Sequence, residues 1–361
     1  MSSPKISVLV PMYNRKHYIA NCLDSVLIQS FQDFEIVVRD DGSTDGSADF
    51  VEKNYAAEIS SGKIKLKRNE KNLGEDPTTI RLFLDAAGKY FSVLHSDDMY
   101  LPHALKYLYE TAEKFQADIV HTIRFLNSPP DGVIKEGTQF QIMSPESQKV
   151  DTATVMPADQ LSRFKEIFYS SLYFGDIQYT FFRRDFVLDN KILLDIRASN
   201  LHWLFLAKVY VKTPEIYYIR RDAPDSITRS GNHNRKDIFS VEYLEKSLSK
   251  LIEDGARFER FADQFEIFKE HPEFKYLIAA RIFNVMTSVY IYGRGYYRGG
   301  RVPEEVREAV EKVFKKYFGV HAGYPIFLFH LINFHQYLPG FERVFLTPPR
   351  IISDWLTVNA A

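Results

Sequence analysis

Up to Phe125, short apolar runs alternate with segments whose apolar residues return at helical spacing. Ile6-Ser7-Val8-Leu9-Val10 reads as a buried strand stopped by Pro11. Asn14 is placed to cap the next helix, which carries Ile19, Cys22, Leu23, Val26 and Leu27 on one face. Phe34-Glu35-Ile36-Val37-Val38 predicts a second strand. It runs into Arg39-Asp40-Asp41-Gly42-Ser43-Thr44-Asp45-Gly46, rich in glycine and in residues that cap helices. The pattern continues with a helix over 47–55, a short strand over 64–66, a loop over 69–77 and a helix over 78–87. A strand over 90–94 follows, then a helix after Pro102 with Leu105, Leu108, Tyr109 and Ala112 inward, and a strand over 119–125. This alternation predicts an α/β fold with a mostly parallel, doubly wound sheet and right-handed crossovers.

The pattern weakens over 127–159, where Pro129, Pro130, Asp131, Gly132 and Gly137 mark a long loop or insertion. It returns as a helix over 161–170, a strand over 179–184, a helix over 201–210 and a strand over 216–219. Past residue 235 helical patterns follow one another, over 239–252, 258–268, 274–292 and 304–317. The expected organisation is an α/β domain over 1–234 and a helical domain over 235–361.

Composition narrows the class. The chain has 361 residues, 45% of them hydrophobic, enough for one large domain or two. Its 46 Lys and Arg balance 47 Asp and Glu, which argues against a general nucleic-acid binder. A single cysteine, Cys22, excludes an intramolecular disulfide and suits a reducing compartment. Strand-like residues begin at Ile6 and no apolar run is long enough to span a bilayer, so neither a secretory leader nor a membrane helix is expected. The expected location is cytoplasmic.

Chemistry concentrates at three strand ends: Pro11, Tyr13 and Asn14 after the first strand, Asp40 and Asp41 after the second, and Asp97 and Asp98 after His95-Ser96 at the end of the 90–94 strand. In a doubly wound sheet these lie along one edge, where such folds bind ligands. Adjacent carboxylates there either form a polar turn capping the next helix or hold a divalent cation, Mg2+ or Mn2+, shared with phosphates. Tyr13 could stack on a base, and a carboxylate such as Asp40 can accept from the N3–H that uracil and thymine carry and cytosine lacks.

Taken together, Ser7 to Asn14, Val37 to Gly46, Asn72-Leu73-Gly74 and His95-Ser96-Asp97-Asp98 resemble family 2 of the glycosyltransferases, with the GT-A fold. The resemblance covers residues 4–125 firmly and 160–230 loosely. It implies inverting transfer of a sugar from a nucleotide-diphosphate donor, with a metal bound at Asp97 and Asp98. It places Arg81 and either Arg221 or Arg220 near the diphosphate. The family's usual Asp-x-Asp-Asp is His95-Ser96-Asp97-Asp98 here, and His95 reads as a satisfied strand-end histidine. The family's acidic base is missing from Ala198-Ser199-Asn200-Leu201-His202-Trp203, which leaves His202, Asp195 and Asp176 as candidates for general base.

The resulting expectation is an inverting, metal-dependent transferase that uses a UDP-sugar and a glycan or lipid-linked glycan acceptor, in bacterial surface-glycan synthesis. Its rivals are a nucleotide-sugar-binding protein without turnover and a nucleotidyltransferase, the latter disfavoured by the absence of a Gly-rich phosphate loop. Pro325 to Leu338, rich in Phe, Leu and His, is expected to be core or a dimer face, with contact to a membrane surface as the alternative.

Overall fold

A computed structural model describes residues 3–129, 140–142 (backbone), 151–163, 177–190, 203, 205–221 and 262–271. The chain divides into two compact units, one formed by Met1–Ala158 and Tyr173–Ser226, the other by Asp159–Leu172 and Ile227–Ala361.

In the first unit the elements are β1 (Ile6–Met12), α1 (Ile19–Leu27), β2 (Phe34–Asp40), α2 (Ser47–Asn54), α3 (Ala56–Ser60), β3 (Ile64–Arg68), α4 (Glu75–Asp85), β4 (Tyr90–Val93), β5 (Met99–Tyr100), α5 (Ala104–Phe115), β6 (Ile119–Thr122), β7 (Arg124–Ser128), β8 (Phe140–Ile142), β9 (Thr154–Val155), β10 (Thr180–Arg183), α6 (Arg184–Asp189), β11 (Tyr210–Thr213) and β12 (Tyr218–Arg221). An eight-stranded sheet has the order β3-β2-β1-β4-β10-β6-β11-β9, and a four-stranded sheet the order β5-β12-β7-β8. The β3-β2-β1-β4 half is parallel throughout. β10 enters antiparallel between β4 and β6, so the sheet is mixed. The expected α/β architecture therefore holds.

β1 lies between β2 and β4 with layers on both faces. That explains why its sequence is a continuous apolar run and not an alternation, and Val8, Leu9 and Val10 are fully buried. Pro11 does not stop it. The ladder to β2 continues through Pro11 and Met12, whereas pairing with β4 ends at Leu9. The carbonyl of Leu9 accepts from Leu94 on the β4 side, and that of Met12 accepts from Asp41 on the β2 side. By alternation Pro11 faces the β4 side, where no ladder remains to be donated to.

Three other boundaries differ from the sequence pattern. α4 begins at Glu75, with Pro77 inside its first turn, because a first-turn residue has no intrahelical N–H bond to lose. The run 119–125 divides at Ile123 into β6 and β7, which belong to different sheets. Tyr210, expected in a helix, opens β11 beside β6.

Of the second unit, the described part includes α7 (Glu266–Glu270), whose Ile267 N–H is capped by Oε1 of Gln160 at 2.8 Å. The helix expected over 258–268 is interrupted by a turn at 263–265. The other C-terminal helical patterns lie outside the described residues, as do Pro325 to Leu338. Among the described residues no helix is long and apolar enough to cross a membrane.

Candidate active site

The carboxyl ends of β1, β2 and β4 and the strand β12 are tied into one continuous edge. Asn14 is the first link. It adopts a left-handed backbone conformation, φ 52°, which asparagine tolerates better than most residues. Its N–H donates to Oγ of Ser43 at 2.9 Å, and its Oδ1 accepts from the N–H of Thr44 at 2.8 Å. It thus bridges the loops after β1 and β2 instead of capping α1, which has Tyr18 at its N-cap.

The turn after β2 is the second link. Gly42 has φ +72°, and a Cβ there would lie 2.8 Å from the backbone of Lys71 and Asn72, so glycine permits the 71–74 loop to close on the turn. Asp41 fastens that loop: its carboxylate accepts from Nδ2 of Asn69 at 2.8 Å, from Leu73 N–H at 2.9 Å and from Gly74 N–H at 2.9 Å. Asn69 is a hub. Its Oδ1 accepts from Arg39 at 2.9 Å and Arg81 at 3.0 Å, and its amide also donates to Thr78. Arg81 is thereby held to the β2 end of the edge, against Asn69.

The neighbouring Asp40 differs from Asp41. Its Oδ2 accepts from Ser43 N–H at 3.1 Å, but its Oδ1 is buried and meets no donor among the described residues. A buried acceptor of that kind is costly unless a ligand satisfies it. Tyr13 follows Met12, the β1 partner of Asp40 in the ladder, and is 40% exposed and so available for stacking.

The third link is the end of β4. Nε of Arg15 lies 3.7 Å from Oδ2 of Asp97, joining the β1 loop to it. Asp98 is buried; it accepts from the phenol of Tyr218 at 2.5 Å and from the backbone N–H of Arg221 at 2.7 Å. Burial, with the charge of Asp97 beside it, pushes the Asp98 carboxyl up to about 6, against the opposing influence of His95 and the Tyr218 bond. Beneath the loop the Cys22 thiol, 3.6 Å from the carbonyl of His95, is held protonated by burial and by the same two carboxylates.

His95, Asp97 and Asp98 each bring one ligand atom within 4.8 Å of the others. His95 is not satisfied as its strand-end position suggested: its buried Nε2 has no hydrogen-bond partner among the described residues and stands 3.8 Å from Glu75. Two carboxylates and an imidazole with an unused nitrogen are a donor set suited to a divalent cation.

Arg221 completes the edge. It is buried, forms no ion pair among the described residues, and its Nε has no partner. Among the described residues its guanidinium meets Sδ of Met99 at 3.4 Å and the ring of Tyr18, 5.3 Å from the centroid. A buried cation in such company calls for an anion.

The structure thus brings Pro11, Tyr13, Asn14, Asp40, Asp41, Arg81, Asp97, Asp98 and Arg221 to one edge. His202, Asp195 and Asp176 lie outside the described residues. Sequence patterns did not single out Arg15, Tyr18, Asn69 or Tyr218. The last is visible only through the antiparallel register of Tyr218 with Tyr100.

Residues 7–185 match glycosyl transferase family 2. They form a family 2 glycosyl transferase domain. This domain is 30% identical over 118 residues to glycosyltransferase GlyG of Streptococcus pneumoniae, covering 33% of this chain and 38% of that one. It is 31% identical over 153 residues to the putative glycosyltransferase EpsE of Bacillus subtilis, covering 38% and 54%. The chain therefore spans less than two thirds of either relative. A longer match, 25% identical over 260 residues and covering 72% of this chain and 78% of the other, is to a GalNAc(5)-diNAcBac-PP-undecaprenol beta-1,3-glucosyltransferase of Campylobacter jejuni. The chain is similar in fold to Staphylococcus aureus TarS, solved in complex with UDP-GlcNAc. The TM-score is 0.59 at 20% identity, covering 86% of this chain and 81% of that one.

Proposed function

We propose that this chain transfers a sugar, with inversion, from a UDP-sugar to a hydroxyl of a glycan or lipid-linked glycan, as expected of a bacterial surface-glycan enzyme at the cytoplasmic face. The observation that carries the nucleotide choice is the buried, unsatisfied Oδ1 of Asp40 at the end of β2. It accepts from the N3–H of uracil, while cytosine offers no hydrogen there. Tyr13 stacks on the base. Arg221, buried with no ion pair among the described residues, receives the negative charge of the diphosphate, and Arg81 supports the β2 end of the same edge. Asp97 and Asp98 are the residues that would hold a divalent cation, Mn2+ or Mg2+, which would neutralise the departing diphosphate. The proton of the acceptor hydroxyl passes to a base drawn from His202, Asp195 and Asp176. The C-terminal segment 235–361 serves acceptor or membrane-surface contact, or pairing with a second copy. Support for a lipid-linked acceptor comes from the relative whose name specifies an undecaprenol-linked glycan.

The test is calorimetric titration of UDP, GDP, CDP and dTDP, each with and without Mn2+, on the wild type, Asp40→Asn and Asp98→Ala. Metal-dependent UDP binding that weakens in both variants is the expected result. Equal binding of UDP and CDP removes the role given to Asp40. Failure of every nucleotide to bind overturns the transferase function.

A further inference from the structure

We infer that His95 is a nitrogen ligand of the metal at this site and that it biases the site toward Mn2+ over Mg2+. The inference rests on the donor-site function proposed above and extends it to the identity of the cation.

Three observations converge. A ring nitrogen of His95 shares a cluster with an oxygen of Asp97 and one of Asp98, all within 4.8 Å of one another, a separation that a bound ion closes by small side-chain movements. Nε2 of His95 is buried and lacks a hydrogen-bond partner among the described residues, so none of them holds the imidazole for its own sake. Outside that cluster the charge beside it, Glu75 at 3.8 Å, is more than half exposed and lies beyond hydrogen-bond range, a contact of little energetic weight. Asp98, in contrast, already has both oxygens engaged, by Tyr218 and by the N–H of Arg221. A carboxylate oxygen can accept more than one contact, but this one is fixed in position, which leaves His95 and Asp97 as the adaptable donors. An imidazole in place of a third oxygen donor matters for selection. Mg2+ holds to oxygen ligands and keeps its waters; Mn2+ also favours oxygen but, as a softer first-row ion, tolerates one imidazole among them better than Mg2+ does.

The experiment is pulsed electron paramagnetic resonance on the full chain loaded with Mn2+ and UDP, together with Mn2+ and Mg2+ titrations, for wild type and His95→Gln. The wild type is expected to show modulation from a directly bound nitrogen-14. In His95→Gln that modulation should be lost and Mn2+ affinity should fall by about tenfold or more, since even outer-shell partners of a metal contribute about 10–100-fold. Mg2+ affinity should change much less, so that the preference for Mn2+ collapses. The spectrum of the wild type needs no variant and stands if His95→Gln folds poorly. Mn2+ and UDP binding together without nitrogen modulation overturns the role of His95 and leaves the donor site intact. Absence of both Mn2+ and UDP binding overturns the donor site itself, and this inference with it.

Discussion

The phenol of Tyr218 donates to Oδ2 of Asp98 at 2.5 Å, so a residue 120 positions further along the chain holds one of the two carboxylates at the end of β4. The bond ties the small sheet to the edge of the large one. Tyr218→Phe keeps the ring and removes only the donor. A hydrogen bond to a charged group is worth about 2 kcal/mol, and urea unfolding is expected to record a loss of that size. Titration of Mn2+ with UDP should weaken alongside it, because Asp98 is then held at one oxygen only, by the N–H of Arg221.

Asp40 and Asp41 are adjacent yet oppositely employed. Asp41 has three donors on its carboxylate, two of them backbone groups of the 72–74 loop, while one oxygen of Asp40 has none. Asp41→Ala should destabilise the protein by about 3 kcal/mol, the cost of stranding partly buried donors. Asp40→Asn should leave the urea midpoint nearly unchanged and weaken UDP by about tenfold, since one charge-assisted hydrogen bond is exchanged for a poorer contact. Paired unfolding and calorimetric curves separate the two; a reversed pattern would mean that Asp41 is the ligand-facing member.

Arg221 is a buried guanidinium facing a thioether and a phenol ring, neither of which offsets its charge. Arg221→Met preserves the backbone N–H that Asp98 uses and fills similar space with apolar atoms. The unfolding midpoint should hold or rise, because an uncompensated charge is no longer buried. Affinity for UDP should fall about tenfold, whereas uridine, which carries no phosphate, should bind as before.

His121, in the middle of the large sheet, pairs through Nδ1 with Oγ1 of Thr180 at 2.9 Å. Burial, aided by the charge of Lys212, drives its pKa down to about 3 from 6.5. The folded state therefore binds fewer protons than the unfolded chain between those values. The neutral imidazole costs nothing above pH 6.5, and stability drains away as pH falls from there toward 3. Between pH 7 and pH 5 the wild type should lose about 2 kcal/mol from this group. His121→Asn, with no titrating ring, should show a correspondingly flatter pH dependence in urea unfolding, whatever its stability at pH 7.

The parallel half of the sheet was legible because its strands are buried on both faces and so announce themselves as unbroken apolar runs. The same runs end where the chain turns polar, which is why Pro11, Tyr13, Asn14, Asp40, Asp41, Asp97 and Asp98 could be picked out as neighbours. Partnership within that edge was not legible. Nothing local distinguishes Asp40 from Asp41; the difference is made by a loop some thirty residues on, in contact through Leu73 and Gly74. The roles of Tyr218 and of the Arg221 N–H depend on β12 pairing with β5, a register set by tertiary contacts. Local rules misjudged Pro77 and Ile123 for a related reason: a proline is tolerated inside a first helical turn, and a run of apolar residues can serve two sheets in succession.

Pro11 occupies the fork where β4 leaves β1. When parallel strands splay, the residue at the parting ordinarily exposes an amide hydrogen that recruits water. Here the crotch of the fork is lined by a ring carbon instead, and the parting of the strands leaves no amide hydrogen at that point to compete for a partner.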